Sequence, residues 1–166
     1  MCRKASFALL AVLLLSSCLS QQQRAEQRQL TAQRVEQAVS SRHLKIEINS
    51  MQTLRYGTHP ATSDFYLELI GDSLVSYLPF VGRAYGATAY GSPSQGLNFN
   101  SSITNFQQTP LKEDGVRMEM EVASKEDHFF YRIDVYPNGK AYIYVRPQSR
   151  DAMNFDGEVV SGIKDN

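Results

Sequence analysis

The chain is poor in cysteine. Only Cys2 and Cys18 occur in 166 residues. Everything after Cys18 lacks a thiol, which excludes disulfides there and leaves no cysteine for a zinc site. Long apolar runs are lacking too. The longest uncharged one, Ala5 to Leu15, falls well short of the ~20 residues a spanning helix needs. Neither sign of charge is in surplus, with 17 Lys and Arg against 17 Asp and Glu. A nucleic-acid partner is therefore not expected, because phosphate contacts need a basic surface. Local catalytic signatures are also missing. No Gly-x-Ser-x-Gly elbow occurs. Gly139-Lys140 is no phosphate loop, because Asp134 stands at the upstream glycine position and Ala141 replaces Ser or Thr. His43, His59 and His128 are far apart and share no zinc-like spacing, so no metal or other cofactor is expected. Glu119 and Glu121, on one strand face, read as a solvated charged surface rather than paired acids. A catalytic triad assembled from distant residues stays open.

What is present at the N-terminus decides the compartment. Arg3 and Lys4 precede the apolar run, and Leu15-Ser16-Ser17-Cys18 follows it. That is the layout of a secretory signal with small residues at its cleavage site. Leu-Ser-Ser-Cys resembles the lipobox of bacterial lipoproteins. The resemblance implies cleavage after residue 17 and lipid on the Cys18 thiol. Each buried methylene of such an anchor contributes about 0.8 kcal/mol. The remaining chain, about 150 residues long, is enough for one domain with a core of its own. Without Arg3 and Lys4 it carries a net charge near −2.

Residues 18–29 are glutamine-rich and read as a lipidated tether. The residues after the cysteine, Leu19 to Gln23, lack the acidic run that marks surface-exposed lipoproteins of the Bacteroidetes. By that resemblance the expected location is the outer membrane, facing the periplasm. A helix is predicted to begin in the tether and run to about Ser41. Ala32, Val35, Ala38 and Val39 give it one narrow apolar stripe for contact with a sheet.

From Leu44 the period switches to two. Leu44, Ile46 and Ile48 alternate with polar neighbours, as do Val116, Met118, Met120 and Val122. Such alternation marks strands with one buried and one wet face. Two hairpins can be registered. Gly71-Asp72 joins strands 65–70 and 73–78, pairing Leu69 with Leu74, Leu67 with Ser76 and Phe65 with Leu78. At Pro137-Asn138-Gly139, a type I turn with a glycine bulge pairs Tyr136 with Lys140, Val135 with Ala141, Ile133 with Ile143 and Tyr131 with Val145. That register sorts apolar from polar, leaving Arg132, Asp134, Tyr142 and Tyr144 on the other face. Seven or eight such strands imply a mainly β fold, an antiparallel sheet curled into a sandwich or partly open barrel, after one N-terminal helix. Residues 30–166 form that single β-rich domain.

Asp72-Ser-Leu-Val-Ser-Tyr-Leu-Pro-Phe-Val-Gly-Arg-Ala-Tyr85 resembles the Bacteroidetes lipoproteins carrying domain of unknown function 4251. Pro137 to Ala141 and Phe155-Asp156-Gly157 fit the same family. Phe80 stands where tyrosine is usual, so a role for that hydroxyl is not expected here. The likeness runs from about Val35 to Val160. It implies an envelope lipoprotein with no established activity and no known catalytic residues.

The stretch Pro79 to Gly96 is the least ordinary part of the chain. It is long, rich in glycine and carries the tandem Ala84-Tyr85-Gly86 and Ala89-Tyr90-Gly91. Long connections are often functional. Arg83, with Tyr77, Tyr85 and Tyr90, offers an anion contact and stacking surface. The face bearing Tyr142, Tyr144, Arg132, Lys140 and Arg146 is a second candidate, for sugars or nucleotides, beside simple cross-strand Tyr–Arg contact. The favoured expectation is a non-enzymatic binding or interaction module for a small ligand or envelope protein. A hydrolase of envelope material and a structural membrane tether are the alternatives.

Overall fold

A computed structural model describes residues 2–53, 57–85, 97–125 and 127–160, with side chains from residue 21 onward. One helix, α1 (Cys2–Ser40), precedes nine strands: β1 (His43–Thr53), β2 (Gly57–Pro60), β3 (Tyr66–Ile70), β4 (Ser73–Leu78), β5 (Leu97–Pro110), β6 (Val116–Ala123), β7 (His128–Val135), β8 (Lys140–Pro147) and β9 (Met153–Val159). The helix thus reaches back through the glutamine-rich stretch rather than starting within it.

The alternating residues of β1 and β6 face inward as expected, with Leu44, Ile46, Ile48, Met118, Met120 and Val122 buried. The β3–β4 hairpin pairs Leu69 with Leu74 and Leu67 with Ser76 across Gly71-Asp72. It is one pair shorter than expected. The ladder ends at Tyr66 and Tyr77, and the Phe65 carbonyl accepts from Ile48 N of β1 at 2.9 Å. The β7–β8 hairpin has the bulged register. Tyr131, Ile133 and Val135 oppose Val145, Ile143 and Ala141, and Tyr136 N donates to Lys140 O at 2.9 Å. Gly139 takes the left-handed conformation the turn requires, at φ 86°.

All pairings are antiparallel, in the order β1-β3-β4-β5-β6-β7-β8-β9, and β9 returns to β1. Eight strands therefore close into a barrel. β2 is an addition, paired with the β1 residues Ser50 to Thr53 that β3 leaves uncovered. Closure removes the free edges that an open sheet would expose. Two bulges bend the wall. One interrupts the β1–β9 pairing between Ile48 and Ser50. The other interrupts β5–β6 between Thr104 and Gln107, where Asn105 adopts φ 52°.

Side chains fill the barrel, as its strand number allows. Ile46, Leu74, Leu78, Met118, Met120, Tyr131, Val145 and Met153 are wholly unexposed. The one phenol among them is satisfied: Tyr131 donates to Ser76 Oγ at 3.1 Å, and Ser76 donates to Leu97 O at 2.6 Å. Burial pushes the Tyr131 pKa well above the ordinary tyrosine value of 10.0, and the Ser76 hydrogen bond only partly opposes it.

Both barrel ends are covered. At one end lie the β3–β4, β5–β6 and β7–β8 turns. There Val35 and Val39 of α1 join the core and share a cleft with Val116, Val135 and Tyr136. Thr31 lies over the β7–β8 turn at Gly139. The predicted apolar stripe thus serves the barrel, while Gln21 to Leu30 are exposed. The other end is covered by the segment that leaves β4.

Candidate functional site

β4 and β8 are third and seventh among the eight barrel strands, hence opposite each other. The chain leaving β4 reaches the turn between β8 and β9, so residues 79–85 form a strap across the barrel mouth. Its attachments are sequential. Val81 N lies 3.4 Å from Met153 Sδ at the start of β9. Arg83 N donates to Asp151 Oδ2 at 2.9 Å. Asp151 N donates to Arg83 O at 2.9 Å, and Tyr85 N to Ser149 O at 2.7 Å. Ala84 and Arg150 form a β-bridge, and Arg150 lies over the Phe80 ring, 5.5 Å from its centroid. A Cβ at Gly82 would sit 3.0 Å from both the Asp151 Cβ and the Phe80 ring. The Gly82-Arg83 pair thus marks where the strap meets the β8–β9 turn.

A second carboxylate fixes that turn from beneath. Asp127 is buried. It accepts from Ser149 Oγ at 2.6 Å, from Ser149 N at 3.3 Å and from His128 N at 2.8 Å. Arg150 Nε lies 3.9 Å away. Sequence alone places Asp127-His128 at a wet turn, and only His128 is exposed. Ser124 starts that turn, its Oγ accepting from Asp127 N at 3.1 Å. This Ser-x-x-Asp pattern is the local signal that was available.

The four ligand-site candidates separate. Arg83 and Tyr85 stand together on the strap. Both are exposed, Tyr85 by 67%. The Tyr85 hydroxyl donates to Asp151 Oδ1, whereas the Arg83 guanidinium has no partner among the described residues. Tyr77 is elsewhere, on the outer wall of β4, against Phe65 and Tyr66 at centroid distances of 5.6 and 5.7 Å. Tyr90 and the rest of 86–96 lie outside the described residues, as does the side chain of Cys18.

The second candidate face exists as read. Arg132 pairs with Glu119 at 2.8 Å and lies over the Tyr144 ring at 5.8 Å. Arg146 lies over Phe130 at 5.3 Å. Arg117 and Asp134 form a two-pronged pair at 2.7 and 2.6 Å. That bond to Asp134 raises the Arg117 pKa above its usual value. Cross-strand Tyr–Arg contact, the simpler of the two readings, is thus present. His43, His59 and His128 are all exposed, on different strands. Among the described residues no three His, Cys, Asp or Glu gather as a metal site. No helix of the described residues is long and apolar enough to cross a membrane.

Fold and site define a class: an antiparallel eight-stranded barrel, filled by its own side chains, with a helix at one end and a strap at the other. Residues 26–159 match the family described as domain of unknown function (DUF4251), and the chain belongs to that family. A similar solved structure is that of a DUF4251 family protein from Bacteroides eggerthii DSM 20697. The two are 11% identical with a TM-score of 0.62, over 80% of this chain and 89% of the other. At that identity the likeness concerns fold. No curated protein matches the chain.

Proposed function

We propose that this protein is a lipid-anchored envelope module that binds a ligand or partner protein at the strapped end of its barrel, without catalysing a reaction. The strap carries the reading. Arg83 and Tyr85 face solvent while the backbone beneath them is tied to Ser149 and Asp151. An exposed cation and ring on a fixed backbone bind with little ordering cost. The filled interior supports recognition on the surface rather than in a lumen.

The anchor agrees with this arrangement. Cys18 would carry the lipid, and α1 continues from it to the far end of the barrel. From Cys18 to Thr31 a helix rises roughly 20 Å at 1.5 Å per residue. The strapped end would then face away from the membrane, toward the periplasm if the membrane is the outer one. Cys18→Ala should leave the protein unprocessed or released from membranes. A processed, membrane-bound Cys18→Ala protein contradicts the anchor.

The binding reading is tested with the full chain in detergent, incubated with an extract of the source cell envelope and examined by native mass spectrometry. The wild type should retain an adduct that the Arg83→Ala/Tyr85→Ala variant, folded by thermal unfolding, does not. The same adduct on both proteins removes the strap as the site.

A further inference from the structure

The outer wall formed by β6, β7, β8, β9 and β1 carries a second surface, independent of the strap. Two rows of side chains cross it in register. One runs Arg117, Asp134, Tyr142, Asp156 and Ser50 from β6 to β1. The next runs Glu119, Arg132, Tyr144, Asn154 and Gln52 over the same strands. Each row has a tyrosine on β8 with an Asx residue beside it on β9. The rows are two residues apart along each strand, or about 7 Å. They border a cleft of about 360 Å³.

The polar groups here divide in an informative way. Both guanidiniums are already neutralised, Arg117 by Asp134 and Arg132 by Glu119. An anionic ligand therefore meets no unpaired cation in the cleft. Asp156 accepts from Ser50 Oγ at 2.8 Å through one oxygen only. The amides of Gln52 and Asn154 and the hydroxyls of Tyr142 and Tyr144 make no hydrogen bond among the described residues. Tyr142 is 46% exposed, and its ring is held edge-on by Tyr136 at 5.9 Å.

We infer that this cleft binds a neutral oligosaccharide. A pyranose has an apolar C–H face and a rim of hydroxyls that both donate and accept. Fixed tyrosine rings meet the first requirement, having an apolar body and a polar tip. Planar amides and a half-used carboxylate meet the second, because an amide donates and accepts from one plane. Two tyrosines about 7 Å apart on one strand offer successive rings to successive sugar units.

The test uses the full chain in detergent on an array of immobilised neutral and acidic oligosaccharides. Neutral members should bind, with little dependence on salt. Tyr142→Ala and Asn154→Ala should each weaken that binding about tenfold, while Tyr142→Phe retains most of it. Arg83→Ala/Tyr85→Ala should leave it unchanged, which separates this site from the strap. Asn154 is exposed, so its variant serves even if loss of Tyr142 disturbs the wall. No binding to any member, binding to acidic members only, or binding that survives Tyr142→Ala and Asn154→Ala each overturns the inference.

Discussion

Gly157→Ala addresses the closure of the barrel. Gly157 lies on β9 opposite Ile48, beside the bulge in β1. A Cβ there would come within 2.3 Å of the Glu47 carbonyl oxygen and 2.8 Å of Ile46 Cγ2. The first of these is backbone, so no side-chain rotation relieves it. The β1–β9 seam must widen by roughly an ångström, at the overpacking cost of about 1–3 kcal/mol. For a domain of this size each kcal/mol lowers Tm by about 2–4 °C. Thermal unfolding followed by circular dichroism should therefore show a fall of roughly 3–10 °C. Glu158→Ala, exposed on the same strand, is the control and should stay within about 0.5 kcal/mol of wild type. Hydrogen exchange should rise in β1 and β9 before it rises in β6 and β7. An unchanged Tm for Gly157→Ala would refute the close approach, and with it the argued geometry of the seam.

Two further outcomes follow from the core. Tyr131→Phe removes a buried hydrogen bond and should cost about 1 kcal/mol at neutral pH. Folding holds the Tyr131 proton while the unfolded chain releases it above pH about 10, so wild-type stability should fall there by up to about 1.4 kcal/mol per pH unit. Phenylalanine has no such proton. The difference between the proteins in denaturant melts should shrink and then reverse as pH rises, and a constant difference contradicts the buried phenol. Val35→Ala with Val39→Ala should cost about 2–4 kcal/mol and raise hydrogen exchange in the last turns of α1. Unaltered exchange there would mean that the stripe does not hold the helix.

Local features of this fold were readable in the residues, and long-range ones were not. Leu44, Ile46 and Ile48 announce a strand because side chains alternate between faces. The bulged β7–β8 register follows from keeping apolar residues on one side of a known turn. Neither consideration links residues 46–52 to 154–159, and that pairing turns a sheet into a barrel. The bulges left a subtler trace. Inward positions step by two from Ile46 to Ile48 and then by three to Met51. They step by three again from Ile103 to Phe106 in β5. A bulge adds one residue and moves the phase. Gly71 to Pro79 and Gly139 to Pro147 share the pattern of a glycine, a strand and a proline eight places on, yet they differ in phase. Leu74 faces inward three places after Gly71, while Ala141 does so two places after Gly139. Different turns thus precede them, which argues against a duplicated unit.

The site was legible to the same extent. Arg83 and Tyr85 stood out by composition, but their common support, Asp151, is 66 or more residues away in sequence. Tyr77 looked equivalent because tyrosines near a motif look alike in one dimension. Its side chain belongs to the β3–β4 wall, since a strand end points successive residues to opposite faces. Asp127 was missed because a buried carboxylate is defined by its donors, and Ser149 lies 22 positions on.

If the strapped end is the working surface, a partner in the cell must touch it. The direct test is photo-crosslinking in the living cell from an analogue placed at position 84, exposed between Arg83 and Tyr85, compared with one placed at position 112 near the helix-covered end. A discrete crosslinked species is expected from position 84, absent from position 112 and lost when Tyr85 is alanine. Crosslinks of equal yield from both positions, or from position 112 alone, would contradict that role of the strapped end.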